Sequence, residues 1–350
     1  METIYLTELF SGIGAQTAAF KRLGIAHKAT ACEIDPVAHG MYEAIHGKTP
    51  NLGDITKVKS LPRTDVLTYS FPCQDLSSIG ARKGMEEGSG TRSSLLWEVG
   101  RLLKTADVLP KVLILENVKE LVNKKNMPGF NRWIDFLSDL GYVTTWKIVN
   151  SVDFGIPQNR RRVFAVSVLN SDNSFEFPTA PISMRSLGDL MDDEKTVTSE
   201  FGAGMFGKDK GMLTKIWKTI NNTQSTNSTN RIYCKSSILH ALTTQGSHPG
   251  NFGAVLYWHT FGAATECPLR NITKGLPIEQ LTSTLDDVRL ATPREYFRLM
   301  GFNDTEFDRA KQWCVENNRS FSNLYHVAGN SIVVNVLVEI FRELHIQWFI

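Results

Sequence analysis

Apolar and polar residues along the first 170 positions alternate in two periods. Short apolar runs at Ile4 to Phe10, His27 to Glu33, Val66 to Tyr69, Val112 to Glu116, Val143 to Val149 and Arg162 to Val168 read as strands. Between them lie stretches of helical period. Ala15 to Leu23 is closed by Gly24, and a second helix opens at Asp35-Pro36, with proline in the first turn. Leu95, Leu96, Val99, Leu102 and Leu103 share one helical face, as do Trp133, Phe136, Leu137 and Leu140. Strands alternating with helices predict an α/β fold, a doubly wound, mostly parallel sheet with helices on both faces.

After Leu169 the alternation stops. Ser, Thr, Asn and Gly become frequent, and Asn221 to Asn230 (NNTQSTNSTN) is a loop by composition. Helical patterning returns at Pro293 to Met300 and at Ser331 to His345. The chain therefore divides into a first domain over residues 1–173, a smaller, mainly irregular or β domain over 174–288, and a return to the first domain over 289–350. No repeat of solenoid period is visible.

Composition narrows the class. The chain has 350 residues, 42% hydrophobic and 21% charged, enough for a large buried core. No run approaches the roughly 18 apolar residues of a membrane span, and Met1 to Phe10 lacks the basic-then-apolar pattern of a signal peptide. A soluble, cytoplasmic protein without membrane partners is expected. The 5 cysteines (Cys32, Cys73, Cys234, Cys267, Cys314) contain no C-x-x-C pair, so reduced thiols and no bound metal are expected. The net charge of +2 is uninformative, but its distribution is not. Between Met205 and Gly275 there are Lys208, Lys210, Lys215, Lys218, Arg231, Lys235, Arg270 and Lys274 against only Asp209 and Glu266, after an acidic stretch from Asn170 to Gly204. Such a window is a solvated basic face or, where chemistry elsewhere demands one, a polyanion site.

That chemistry gathers at predicted strand ends. Phe10-Ser11-Gly12-Ile13-Gly14 joins a strand to a helix, where glycines let backbone approach a ligand and the helix N-terminus offers free N–H groups. Glu33, at the end of the second strand, suits ribose hydroxyls. The third glycine of G-x-G-x-x-G is replaced by Thr17, which counts against a pyrophosphate and leaves other adenosine cofactors open. Asp54 and Pro72 fall at the same edge. Cys73, after the strand Val66 to Tyr69, is the one cysteine placed for exposure. A free thiol titrates near about 8.5, so a nucleophilic cysteine needs a nearby cation, for which Arg160, Arg161 and Arg162 are available. Glu116-Asn117 is either a buried acid with a hydrogen-bonding role or a helix-capping pair.

Taken together, FSGIG at 10–14, FPCQ at 71–74, ENV at 116–118, QNRRR at 158–162, RLATPREYFRLMGF at 289–302 and GNSIVVNV at 329–336 resemble the cytosine-5 DNA methyltransferases of bacteria and their phages. The resemblance implies a Rossmann-like methyltransferase domain using S-adenosylmethionine and a target-recognition domain at 174–288, which holds the basic window. It further implies that Cys73 attacks carbon 6 of a flipped cytosine while Glu116, protonated, holds ring nitrogen 3, with Arg160 and Arg162 near the base and the thiolate. Gln158 is a supporting residue. Cofactor contacts carried over are Phe10, Gly12, Gly14, Glu33, Asp54, Pro72, Asn330 and Ser331, with Ile34, Ile55 and Leu95 as apolar contacts. The final helix should pack beside the first strand and complete the cofactor pocket.

The loop Asp75 to Ser93 is placed as a lid, and Gln74, Ser77, Arg231 and Gln245 are candidate contacts to double-stranded DNA. A monomer is expected, with a possible cognate restriction endonuclease acting separately. One position departs from the family: Ala241 stands where a threonine is usual late in the recognition domain. A transfer-RNA cytosine methyltransferase shares the catalytic motifs, but the Cys-Phe-Thr signature of that branch is absent. A catalytically silent DNA binder is disfavoured by Cys73, Glu116, Arg160 and Arg162 occurring together, and a nicotinamide dehydrogenase by Thr17.

Overall fold

In a computed structural model of the chain, the residues described are 3–72, 92–179, 182–193, 196, 199–200, 232–234, 239–240, 255–257 and 288–348. In chain order the first half runs β1 (Ile4–Leu9), α1 (Ala15–Arg22), β2 (His27–Cys32), α2 (Pro36–His46), β3 (Val66–Tyr69), α3 (Leu96–Lys104), β4 (Val112–Val118), α4 (Met127–Asp139), β5 (Tyr142–Asn150), β6 (Gln158–Asn159) and β7 (Arg161–Leu169). Next come β8 (Ile232–Cys234), β9 (Leu239–His240), β10 (Val255–Tyr257), β11 (Val288–Leu290), α5 (Pro293–Leu299), α6 (Asp304–Glu316), α7 (Ser322–Asn330) and α8 (Val334–Trp348). By backbone contacts the chain falls into two units: one of Met1–Asn150, Arg161–Ala180 and Ser331–Ile350, the other of Ser151–Arg160 and Pro181–Asn330.

The first unit is an α/β fold. Its six-stranded sheet has the order β2-β1-β3-β4-β7-β5. The first four strands are parallel, and β7 runs antiparallel between β4 and β5. Every residue of β3 is buried, as are the first six of β4, which is why both read as short, largely apolar runs. The chain leaves β1 for β2 and then returns to the other side of β1 as β3. The carboxyl ends of β1 and β3 therefore diverge, and a doubly wound sheet opens its ligand crevice at such a point.

Local signals set the helices. Asp35 caps α2, its carboxylate accepting from Val37 N at 2.9 Å, and Pro36 follows in the first turn. α3 buries Leu96, Val99, Leu102 and Leu103, and α4 buries Phe130, Trp133 and Leu137. Trp133 donates its indole N–H to the Tyr69 hydroxyl at 3.1 Å, tying the α4 layer to the centre of the sheet. The final helix packs on α1, not on β1: Phe341 meets Phe20 edge to face at 4.5 Å, and Arg22 reaches Asn335.

In the second unit, β8, β10 and β11 form a three-stranded sheet and β6 pairs with β9. Both α5 and α6 open with capping boxes, Thr292 with Glu295 and Asn303 with Glu306. Asp192 anchors the start of α5, accepting from Thr292 Oγ1 and from Arg298 Nη1, each at 2.8 Å. The helices α6 and α7 are absent from the sequence reading. The stretch Ser322–Leu344 is long and apolar enough to cross a membrane by composition, but 67% of its most apolar window is buried inside the protein, as core helices are. Among the described residues no cluster of three or more His, Cys, Asp and Glu could hold a metal ion.

Candidate active site

The turn after β1 is built by close backbone contacts. Phe10 N and Ser11 N donate to the Cys32 carbonyl at the end of β2, at 2.8 and 3.3 Å. Gly12 N donates to Glu33 Oε2 at 2.8 Å, and Asp35 N to Glu33 Oε1 at 2.9 Å. Asn51 completes the lacing: its side chain accepts from Glu33 N and Gly53 N and donates to the Glu33 carbonyl. Phe10, Gly12 and Gly14 all take positive φ, at 59°, 53° and 76°. Phe10 is unusual there, since a bulky residue strains in that region and needs surroundings that hold it. Gly14 is required for a second reason: a Cβ on it would lie 2.5 Å from the Tyr42 ring and 2.8 Å from that of His46. The Ser11 hydroxyl is buried and makes no hydrogen bond.

Under this turn lies a buried acid that sequence reasoning missed. Glu8 of β1 is fully buried, and its carboxylate accepts from Thr17 N at 3.0 Å, Thr17 Oγ1 at 2.9 Å and the Tyr42 hydroxyl. Burial pushes its pKa up to about 7 against the opposing pull of these donors, and burial likewise raises Tyr42. Thr17 is therefore no mere lost glycine: its hydroxyl and N–H tie α1 to β1. The sequence signal was present, as Glu8 is the one acid inside an otherwise apolar strand.

Other expected cofactor residues stand at the same edge. Ile34 is 70% exposed, an apolar side chain beside Glu33. Asp54 keeps an ionised carboxylate, lowered below the usual range by the Thr56 hydroxyl and N–H that it accepts. Ile55 is buried, and Leu95 packs half-buried against the main core. Pro72 is half-buried at the end of β3, and Ser331 begins the return into the first unit. Asn330 ends α7 in the second unit, its amide 3.2 Å from His326 Nε2. Cys32 Sγ donates to the Gly53 carbonyl, and burial raises the thiol to about 12, so this cysteine is inert.

At the end of β4, Glu116 is 6% exposed. Ser70 Oγ donates to its Oε2 at 2.6 Å, and Arg162 Nε stands 3.4 Å from its Oε1. Asn117 caps no helix: it lies in β4 and donates from Nδ2 to the Phe71 carbonyl at 2.9 Å. The reading of a capping pair thus gives way to a buried acid with charged and neutral partners. In the second unit, Arg160 is buried and donates to the Gly329 carbonyl, and Gln158 donates to the Leu299 carbonyl, a supporting role. Cys73, Gln74, Ser77, Arg231 and Gln245 lie outside the described residues, as does the loop from Asp75 up to Thr91.

The profile of C-5 cytosine-specific DNA methylases matches residues 4–345. The chain belongs to this family. It is an enzyme that methylates carbon 5 of cytosine in DNA, on a Rossmann-like α/β fold. It is 36% identical to the type II methyltransferase M2.ScrFI of Lactococcus lactis subsp. cremoris, over 84% of this chain and 71% of that protein. It is 32% identical to the orphan methyltransferase M.SssI of Spiroplasma monobiae, over 85% and 70%, and 32% identical to the type II methyltransferase M.NgoBI of Neisseria gonorrhoeae, over 94% and 89%. Among solved structures it is similar to the Entamoeba histolytica methyltransferase EhMeth, at TM-score 0.73 and 17% identity, covering 99% of both chains. It is also similar to Schizosaccharomyces pombe Dnmt2, at TM-score 0.67 and 21% identity, again covering 99% of both. At such identities the likeness to these structures concerns the fold.

Proposed function

We propose that this methylase acts on a cytosine flipped out of a short specific duplex sequence, through a covalent adduct with Cys73 and with S-adenosylmethionine as methyl donor. The observation that carries this reading is Glu116: a buried acid at a strand end, held between Arg162 and Ser70, and Ser70 stands three residues before Cys73. The thiolate of Cys73 adds to carbon 6, and the carboxyl proton of Glu116 hydrogen-bonds ring nitrogen 3, where negative charge develops. Carbon 5 thereby becomes nucleophilic. After methylation its proton leaves to a base, the carbon–sulfur bond breaks, and the thiolate is restored. Arg162, in contact with Glu116, supplies the positive surroundings in which a thiolate persists.

The residues of the first unit fit the cofactor. Ser11 offers a buried hydroxyl without a partner, and each Glu33 oxygen, after accepting one backbone N–H, retains lone-pair capacity for ribose hydroxyls. Ile34 gives the adenine an exposed apolar plate, with Asp54, Ile55, Pro72 and Leu95 around it and Phe10, Gly12 and Gly14 forming the floor. Ser331, where the chain re-enters this unit, completes the set. When bound, S-adenosylmethionine supplies the electrophilic methyl group that carbon 5 takes.

Residues 174–288 read the DNA in this proposal, using the basic window for phosphates and Arg231 and Gln245 for base edges, with Gln74 and Ser77 beside the flipped base. Flipping costs a few kcal/mol, which the contacts made to the DNA must offset. The enzyme works as a monomer in the cytoplasm. The names of its type II relatives make protection from a separate restriction endonuclease the natural purpose. Base-resolution cytosine methylation sequencing, on unmethylated DNA incubated with enzyme and S-adenosylmethionine, tests the whole reading. Methylation at one short motif, lost in Cys73→Ala, is the expected result. No DNA methylation, or methylation confined to transfer RNA, overturns it.

A further inference from the structure

The parallel ladder between β3 and β4 ends at the pair Tyr69 and Leu115. Beyond it, side chains take over from the sheet. Ser70 Oγ donates to Glu116 Oε2 at 2.6 Å, and Asn117 Nδ2 donates to the Phe71 carbonyl at 2.9 Å. Two successive residues after β3 are thus cross-braced to two successive residues of β4, each strand giving one side chain to the other. The chain that leaves this brace reaches the nucleophile within two residues of Phe71.

We propose that Ser70 is a positioning residue of the methylation reaction, fixing the Glu116 carboxyl group in the plane and place where it meets the base. The inference rests on the proposed role of Glu116. A glutamate has three side-chain torsions, and the last rotates through a broad, shallow well. Arg162 touches only one oxygen, through Nε at 3.4 Å, while its Nη1 is directed to the Arg161 carbonyl at 2.9 Å. One contact at that distance leaves the carboxyl free to turn about it. The short Ser70 bond to the other oxygen removes that freedom, so both oxygens are located before the base arrives. Ser70 also stands three residues before Cys73 in the sequence. Preorganisation of this kind lowers the barrier without adding any contact to the substrate.

The test compares Ser70→Ala, Glu116→Gln and the double variant in the full-length enzyme, by single-turnover methylation of its DNA with saturating S-adenosylmethionine. Equilibrium binding of S-adenosylhomocysteine and of DNA, and thermal midpoints, are measured alongside. Ser70→Ala should slow methyl transfer about tenfold, with both affinities within twofold of wild type and the midpoint unchanged. On the Glu116→Gln background the same change should cost less than twofold, since Ser70 acts through that carboxyl. Full activity in Ser70→Ala, or an equal tenfold loss in both backgrounds, overturns the inference. Wild-type rates in Glu116→Gln would instead overturn the assigned role of Glu116.

Discussion

Two buried acids stand on strands of the same sheet, and they are wired in opposite ways. Glu8 in β1 is fully buried: a backbone N–H, a threonine hydroxyl and a tyrosine hydroxyl donate to it, and Lys21 adds a weaker electrostatic pull. Glu116 in β4 keeps 6% exposure, one arginine and one serine. A carboxyl group saturated by neutral donors from neighbouring helices is an anchor, since burying it unpaired would cost several kcal/mol and any movement would unpair it. One held from two sides with its edge open can still take a partner. The difference fits the proposed mechanism, in which Glu8 holds the turn after β1 and Glu116 meets the base. It breaks most sharply in kinetics. Glu116→Gln should lower turnover by roughly 10²–10³-fold, the usual cost of losing a group that stabilises developing charge. Glu8→Gln should leave the rate at saturating cofactor within about threefold, because it touches no reacting atom. Equal losses in a single-turnover assay would dissolve the distinction.

The anchor has a second layer, and Gly14 measures it. Tyr42 and His46 of α2 press on the inside of the turn, His46 Nε2 lying 2.9 Å from the Ile13 carbonyl. An alanine at 14 would add a left-handed backbone penalty of roughly 1–2 kcal/mol to the cost of displacing two packed rings, about 1–3 kcal/mol. Gly14→Ala should therefore destabilise the protein by as much as ~5 kcal/mol in denaturant unfolding and weaken S-adenosylhomocysteine binding. A loss below about 1 kcal/mol would show that α2 yields and that the turn is not clamped from beneath.

The same contrast explains what the sequence disclosed. β3 and β4 are legible because strands buried on both faces are continuous apolar runs, and the structure returns Val66–Tyr69 with the expected bounds. α2 is legible through Asp35-Pro36. The order β4-β7-β5 is not, because antiparallel insertion leaves no mark on local periodicity. α6 was overlooked although Phe307, Ala310 and Cys314 recur at helical spacing after the capping box of Asn303 and Glu306. In the site, Glu33 and Glu116 stood out because they stand at the ends of predicted strands. Glu8 and Ser70 did not, and Thr17 read only as a missing glycine, since their meaning lies in partners 34, 46 and 9 residues away.

Glu8 also carries a pH signature. Burial raises Glu8 from 4.5 to about 7, so the folded state holds a proton that the unfolded chain has already released. Its contribution to stability is fully present below about 4.5 and is lost as pH rises through 7. By the usual conversion the swing approaches ~3 kcal/mol. Glu8→Gln cannot ionise and should escape this decline. The stability deficit of the variant should accordingly be larger at pH 5 than at pH 8 in urea titrations. A deficit independent of pH would mean that Glu8 does not titrate in this window.

The smallest effect probes what the anchored turn is for. Ile34 follows Glu33 and is 70% exposed, so it adds little to the core, and replacing an exposed apolar residue ordinarily changes stability by less than about 0.5 kcal/mol. If adenine covers it, the complex buries apolar area that the free protein leaves in water, worth on the order of 1 kcal/mol at the usual coefficient. Ile34→Ser should then bind S-adenosylhomocysteine about fivefold more weakly at an unchanged thermal midpoint. Val108, 80% exposed, provides the control, since it follows α3 and none of the proposed cofactor contacts involves it, and Val108→Ser should alter neither quantity. Equal affinities in all three proteins would remove Ile34 from the adenine site.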